Sequence, residues 1–219
     1  MRKFLILSLF LSSVFASGQR ALRYQEIQFS VGTMNYNGEL TSGFNPGNIL
    51  REMGFYGAVD YNHFFTPKFG MGMRVGYGYV MGDDANHDNP TRGLSFRSDL
   101  VEINGNMIYH FRRFGKRYQS NKSTLYLKVS SGVTFSQASY PDDIQFQDGI
   151  TLYPGTNSAF NLGFGGGIKW RLTETSALSV EFMGHYFFSD TMEGFTIKDD
   201  MNGSDGYGGL RLGYSILIL

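Results

Sequence analysis

Large apolar residues and glycine alternate along the stretch from Phe69 to Gly82, which reads FGMGMRVGYGYVMG. Every odd position is bulky and apolar or aromatic, whereas glycine fills nearly every even position, with Arg74 and Val80 as the exceptions. A period of two is typical of a β-strand, because successive side chains point to opposite faces of the sheet. Glycine weakens a strand interior unless a crowded surface needs the space. The pattern therefore predicts one wall of a barrel that is apolar outside and narrow and polar inside.

Seven further stretches alternate in a similar way and complete a set of eight predicted strands. Each reaches the length of about 9–11 residues that a strand needs to cross a bilayer. We predict strands over Gln25–Tyr36, Glu52–Phe64, Phe69–Gly82, Leu94–Phe111, Thr124–Ser136, Ser158–Leu172, Ala177–Ser189 and Gly206–Leu219. In the fourth stretch, the large apolar residues move from even to odd positions near Leu100. This change predicts either a bulge there or an extension of the strand above the membrane.

The links between these strands are alternately long and short. Bacterial outer-membrane barrels place long loops outside the cell and short turns in the periplasm. The link from Arg112 to Ser123 is longer than this rule prefers. An eight-stranded barrel has a lumen that its own side chains can fill. The sequence thus predicts an all-β fold: an eight-stranded, antiparallel, up-and-down transmembrane β-barrel with a filled lumen rather than a diffusion pore.

The composition agrees with a membrane barrel, because 16% of the residues are aromatic and only 17% are charged. A soluble all-β protein is the alternative that this composition leaves open. The formal net charge of +0 gives no reason to expect a nucleic-acid partner. The chain contains no cysteine, so we expect neither a disulfide nor a lipid-modified cysteine.

The N-terminus has the three parts of a secretory signal. Arg2 and Lys3 precede an apolar segment from Phe4 to Phe15, and Ala16-Ser17-Gly18 offers a small-residue cleavage site. An uncleaved anchor is the alternative, but the apolar segment is shorter than the roughly 20 residues of a spanning helix. We therefore expect residues 1–18 to be a cleaved signal peptide and residues 19–219 to form a barrel domain in the outer membrane of a Gram-negative type of envelope.

Charged side chains occupy inward positions of several predicted strands. They are Arg74, Glu102, Lys128, Lys169, Arg171, Glu181, His185 and Arg211, together with Asp60. Buried charges are costly unless they are paired. Strand positions predict two stacked networks, Glu181 with Arg74 and Lys128, and Glu102 with Arg211 and His185. We interpret these charges as structural; the alternative is an ion path, which the narrow lumen opposes.

No residue arrangement predicts catalysis, a cofactor or a small-molecule substrate. His185 and Ser189 lie four residues apart on one strand face, with Asp190 adjacent. Two such strand positions are about 13 Å apart, which is too far for a nucleophile and its base. The sequence therefore predicts a protein that is not an enzyme.

An acidic cluster in the second loop is the one candidate for a cation site. It comprises Asp83, Asp84, His87 and Asp88, and carboxylate oxygens are ligands that calcium prefers. The ligand spacing of an EF-hand loop is absent, so we favour a solvated acidic loop over a metal site.

Several segments, taken in order, resemble the PorG-like family of outer-membrane barrels, which is associated with type IX secretion and gliding. The resemblance covers most of the mature chain. The matching features are Glu26, Gly32, Asn35-Tyr36, Gly38-Glu39-Leu40, Gly82-Asp83-Asp84, Arg92 to Ser98 with Glu102, Tyr140-Pro141, and Glu181 with Phe188-Ser189-Asp190. This chain departs from the family in two places. The family usually has Gly-Asp-Leu where this chain has Gly38-Glu39-Leu40, and the Asp-Tyr-Leu-Asp-Asp run of the family is missing here.

The resemblance implies a non-enzymatic barrel that anchors or assists type IX secretion by contacting a periplasmic lipoprotein ring. The candidate contact is a basic turn made of Arg112, Arg113, Lys116, Arg117 and Lys122. The alternative role of that turn is solubility, or contact with phosphate groups of the inner leaflet. Two other functions stay open: a small surface barrel with ligand-binding or protective loops, and a barrel hydrolase that modifies lipids.

Overall fold

The computed structural model describes residues 23–38, 46–87, 93–141, 150–189, 192–197 and 205–218. Its strands are β1 (Tyr24–Asn37), β2 (Gly54–Phe64), β3 (Phe69–Asp83), β4 (Ser95–His110), β5 (Ser123–Ser139), β6 (Ile150–Leu152), β7 (Thr156–Arg171), β8 (Ser176–Phe187), β9 (Phe195–Ile197) and β10 (Gly206–Ile218). All except β6 and β9 close into one antiparallel barrel in the order β1-β10-β8-β7-β5-β4-β3-β2. The predicted fold is confirmed, and the predicted strand ends differ by at most three residues where they are described. The predicted signal peptide and Leu219 lie outside the described residues.

The outer wall of the barrel is apolar and aromatic. Side chains at alternate positions point outward and stay exposed, as Phe164 (62%) and Phe182 (60%) do. A continuous exposed apolar surface of this kind is unfavourable in water and suits a lipid environment. Among the described residues, no helix is long and hydrophobic enough to cross a bilayer.

The inward glycines leave room for the opposing backbone. A Cβ atom added to Gly132 on β5 would lie 2.0 Å from the carbonyl oxygen of Ile103 on β4. One added to Gly72 on β3 would lie 2.1 Å from the carbonyl oxygen of Tyr61 on β2. The alternation of glycine with large residues therefore reflects tight curvature at the inner face, as the sequence pattern predicts.

The two ends of the barrel differ, and we name them by their connections. The short links and both ends of the barrel sequence lie at the "turn end", and the long connections lie at the "loop end". An apolar cluster fills the lumen at the turn end: Tyr24, Phe64, Ile108, Phe114, Tyr126, Ala177 and Leu217. A larger one fills it at the loop end and includes Met34, Tyr56, Val80, Phe96, Leu100, Phe187 and Phe195. The polar centre of the lumen is thus closed by apolar side chains above and below.

Of the two alternatives predicted near Leu100, a bulge or an extension above the membrane, the bulge is wrong. The ladder between β3 and β4 runs without interruption from the Asp83–Ser95 pair to the Phe69–Tyr109 pair. The change of parity in the sequence has another cause: Phe96 and Leu100 point inward because the loop end of the lumen is apolar.

Three short elements at the loop end are absent from the sequence predictions. They are helix α1 (Pro46–Arg51), a 3-10 helix (Asp84–Asn86), and the two-stranded sheet of β6 and β9. The sheet joins two long loops, and Tyr140 supports it by donating a hydrogen bond from its hydroxyl to the carbonyl oxygen of Glu193 at 2.6 Å.

Substituting an inward glycine tests the steric account of the wall. We expect Gly132→Ala to destabilise the barrel by about 3 kcal/mol, at the upper end of the range for overpacking, because the new methyl group meets a backbone oxygen. The matched control is Gly105→Ala on β4, where an added Cβ has its nearest neighbour, the Ser131 carbonyl oxygen, at 3.8 Å. Urea unfolding in lipid and the heat-induced gel shift measure both; equal stability of the two variants would contradict the account.

Candidate functional site

Glu181 on β8 is the centre of the charge network in the lumen. Its Oε1 atom accepts a hydrogen bond from Arg74 Nη2 at 2.9 Å, and its Oε2 atom lies 3.1 Å from Lys128 Nζ. The hydroxyl of Tyr126 also donates to Oε2, at 3.0 Å, and Arg211 Nη1 lies 3.7 Å from Oε1. All four charged side chains are at most 1% exposed. This carboxylate therefore contacts cations from three different strands.

Asp60 on β2 holds the other side of the same network. Both of its oxygens accept from Arg74 Nε, at 3.0 and 3.1 Å. Its Oδ1 atom also accepts from Lys128 Nζ at 3.1 Å and from Asn106 Nδ2 at 2.9 Å. Arg74 and Lys128 are thus each shared between two carboxylates, which compensates the large cost of taking these charges out of water.

Glu102 departs from the predicted second network. It accepts hydrogen bonds from the hydroxyl groups of Tyr56 and Tyr207, and no cation lies within ion-pair distance of it among the described residues. Arg211, its predicted partner, instead lies nearest Glu181, with its guanidinium 3.8 Å from the centre of the Tyr56 ring. The prediction failed because it considered only ion pairs, whereas the hydrogen-bond donors to Glu102 are the hydroxyl groups of inward tyrosines.

His185, the other predicted partner of Glu102, contacts uncharged groups directly, and Tyr207 lies between it and Glu102. Its Nδ1 atom lies 3.3 Å from Asn161 Oδ1, and its ring stacks on Tyr207 with the centroids 4.6 Å apart. Ser189 follows β8 and Asp190 lies outside the described residues, so these residues form no described catalytic arrangement.

Lys169 on β7 has a partner that sequence reasoning missed. Its Nζ atom contacts both carboxylate oxygens of Glu26 on β1, at 2.6 and 2.8 Å. The sequence does indicate that Glu26 faces inward, because it lies two and four positions before the inward residues Gln28 and Ser30 on the same strand.

Arg171 is not part of the lumen ion network. It lies at the turn end of β7, where Nη2 donates to the carbonyl oxygen of Gly115 at 2.6 Å and Nη1 donates to that of Glu174 at 3.2 Å. Its guanidinium also lies 4.8 Å from the centre of the Phe114 ring. The strand ends here, so the side chain reaches the turns instead of the lumen.

The charges of the lumen balance. The buried charged residues of the described barrel strands, histidine aside, are the cations Arg74, Lys128, Lys169 and Arg211 and the carboxylates Glu26, Asp60, Glu102 and Glu181. Four positive and four negative groups leave no net charge to attract a mobile ion. With apolar clusters at both ends, this arrangement favours a structural role over an ion path.

The basic turn between β4 and β5 is exposed but firmly held. Phe114 is fully buried in the turn-end cluster, and its backbone N–H donates to the carbonyl oxygen of Pro67 at 3.0 Å. Asn121 Nδ2 donates to the carbonyl oxygen of Arg113 at 2.8 Å. The five basic side chains of the turn project around this anchored backbone, four of them exposed and Lys116 half-buried. An anchored turn therefore presents a cluster of positive charges at the turn end.

The acidic residues of the second loop serve the local backbone. Asp83 accepts from the N–H of Ala85 at 2.9 Å, and Asp84 accepts from that of Leu94 at 3.0 Å. The His87 ring lies 3.0 Å from Glu52. Asp88 lies outside the described residues, and within the described part of the chain no group of three potential ligands is placed to hold a metal ion.

The closed barrel, its apolar outer wall and its charge-filled lumen define a small integral barrel of the outer-membrane type. The sequence matches the family described as "Domain of unknown function (DUF6089)" over residues 2–213, and the chain belongs to that family. No curated protein matches the chain.

The chain is similar to several solved structures. Neisserial surface protein A is 14% identical, with a TM-score of 0.52, over 88% of this chain and 96% of that one. OprG from Pseudomonas aeruginosa is 9% identical, with a TM-score of 0.48, over 90% and 96% of the two chains. A major outer-membrane protein from Thermus thermophilus is 16% identical, with a TM-score of 0.48, over 89% and 99%. At these identities the likeness is one of fold.

Removing the central carboxylate tests the network. We expect Glu181→Gln to lower the free energy of unfolding by about 3–5 kcal/mol, because it leaves buried cations with one carboxylate fewer. The control is Asp99→Asn, which removes an exposed ion pair with Arg97 at 3.5 Å and should change little. Urea unfolding in lipid measures the difference, and a Glu181→Gln barrel as stable as the Asp99→Asn barrel would refute the assignment.

Proposed function

We propose that this protein is a non-enzymatic anchor of the outer membrane that binds a periplasmic partner through its turn end. On this proposal it is an accessory component of type IX protein secretion, and its partner is a periplasmic lipoprotein ring. The signal peptide of residues 1–18 directs export and is removed. Lipids surround the outer wall, and no cofactor or small-molecule substrate takes part.

The observation that carries the proposal is the anchored basic turn. Four of its five charged side chains are exposed, while its backbone is tied to the barrel through Phe114 and Arg171 and braced within the turn by Asn121. A preorganised turn loses little conformational entropy when it binds, which favours recognition of an acidic partner. The filled lumen supports the same conclusion, because a role in transport through the barrel needs an open path. The type IX assignment itself depends on the resemblance to PorG-like barrels.

A second candidate is a surface barrel whose loops bind ligands or protect the cell. It is favoured by the ordered loop end, where the sheet of β6 and β9 links two long loops. Burial raises the pKa of Tyr140 to about 12, so its hydroxyl stays protonated as the donor that supports this sheet at physiological pH. A rigid outer surface of this kind is a suitable platform for a ligand.

Neutralising the basic turn separates these candidates. The test variant changes Arg112, Arg113, Lys116, Arg117 and Lys122 together to Gln, and the control changes the loop-end residues Arg51 and Arg97 to Gln. After cross-linking in native membranes, we expect the wild-type and control barrels to capture a periplasmic lipoprotein. We expect the turn variant to lose most of this capture, together with secretion.

Equal capture by the turn variant would reject the turn as the contact. Absence of any captured lipoprotein, with secretion intact in a deletion strain, would reject the anchoring function and favour the surface barrel. The heat-induced gel shift verifies that each variant is folded before it is compared.

A further inference from the structure

A groove runs along the outer wall of the barrel, away from the basic turn, and its lining also includes inward residues such as His185 and Tyr207. It has a volume of about 960 Å³ and follows β1, β10 and β8 near the loop end. One row of outward positions crosses it, in which Asn35, Gly208, Gly184 and Phe164 lie side by side on β1, β10, β8 and β7. The two adjacent glycines form its floor, and the exposed side chains of Leu162, Phe164, Phe182 and Leu210 form its apolar wall.

The fold does not need these two glycines. A Cβ atom added to Gly184 would have only the Phe164 carbonyl oxygen within 4 Å, at 4.0 Å, and one added to Gly208 would have its nearest neighbours at 3.8 Å. Inward glycines such as Gly132 and Gly165, in contrast, face backbone oxygens at 2.0 and 2.1 Å. The absence of side chains at Gly184 and Gly208 therefore shapes the outer surface rather than the lumen.

The loop-end rim of the groove is polar. Asn35, Asn48, Glu52 and His87 line it. Asn35 Nδ2 donates to the carbonyl oxygen of Ile49 at 2.7 Å, which holds α1 against β1 as the side of the groove. The groove is thus apolar where the wall faces lipid acyl chains and polar where the wall approaches the head groups.

The groove is continuous with the lipid-facing wall, so its natural occupant is a molecule of the surrounding leaflet. None of the described residues that line it is a lysine or an arginine, and Glu52 and Asp205 contribute carboxylates. A phosphate group would meet negative charge there without a cation to offset it. The amide groups of Asn35 and Asn48 donate within the protein, to Ile49 and Asn86, so it is their oxygens, together with the His87–Glu52 pair, that suit the hydroxyl groups of a neutral sugar.

We propose that the groove binds one lipid of the outer leaflet, with an acyl chain over Gly184 and Gly208 and a neutral, hydroxyl-rich head group at the rim. The barrel wall is a specific lipid site at this position and a general lipid-facing surface elsewhere. The site is independent of the basic turn, which lies at the other end of the barrel.

Native mass spectrometry of the whole mature barrel in a mild detergent tests the proposal, with a monoglucosyl diacylglycerol and a phosphatidylglycerol as the two probes. We expect one glucosyl lipid to be retained by the wild type. Gly184→Leu and Gly208→Leu fill the floor from two different strands and should each weaken retention about tenfold, the effect of displacing about two methylene groups. The control Gly105→Leu lies on β4, across the barrel, where the outward Cβ also has open space.

Equal retention by the wild type and both groove variants would overturn the site. Stronger retention of phosphatidylglycerol than of the glucosyl lipid would overturn the assignment of a neutral sugar. If a leucine variant misfolds, the NMR spectrum of the wild-type protein alone still tests the proposal. With ¹⁵N-labelled glycine, the glucosyl lipid should shift the amide signals of Gly184 and Gly208 but not that of Gly105, and unchanged signals at all three positions would reject the proposal.

Discussion

Cross-lumen contacts to buried carboxylates hold the centre of this barrel together. Arg74 on β3 and Glu181 on β8 come from strands that lie four positions apart in the ring of eight, so their ion pair spans the full lumen. The hydrogen bond between Tyr207 on β10 and Glu102 on β4 does the same. Each of these carboxylates would be costly to bury alone, and each is stable only because partners from other strands reach it. Closing the barrel in the correct register is therefore a condition for pairing these charges.

Because the lumen is filled, partners and ligands can reach only the surfaces of the molecule. Polar groups occupy the middle, and apolar clusters close both ends. What remains accessible is the basic turn at one end, the joined loops at the other, and the outer wall. Each has distinct chemistry: fixed positive charge at the turn, a rigid two-stranded sheet at the loops, and an amphipathic groove in the wall. The proposed anchoring role depends on the basic turn, and the proposed lipid site depends on the groove in the outer wall.

The strands could be predicted from the sequence because their alternation is a direct consequence of backbone geometry. The same alternation identifies which charges face inward, and counting along strands brings Arg74 and Lys128 to the level of Glu181. It also places Tyr56 on the face of Asp60 and Tyr207 on the face of Arg211, but pairing charge with charge gave no reason to choose tyrosine hydroxyls as the partners of Glu102. It also missed α1 and the pairing of β6 with β9. Three-residue strands from two separate loops have no periodicity to detect, and their pairing depends on the barrel that brings the loops together.

Solute permeation through the purified barrel tests the central claim most directly. Reconstituted into liposomes or a planar bilayer, the mature wild-type protein should give no swelling with small sugars and no steady ionic conductance above that of protein-free membranes, because side chains fill the lumen from end to end. A stable conductance, or swelling that rises with the amount of barrel protein, would contradict the account and would indicate that the lumen charges line an ion path.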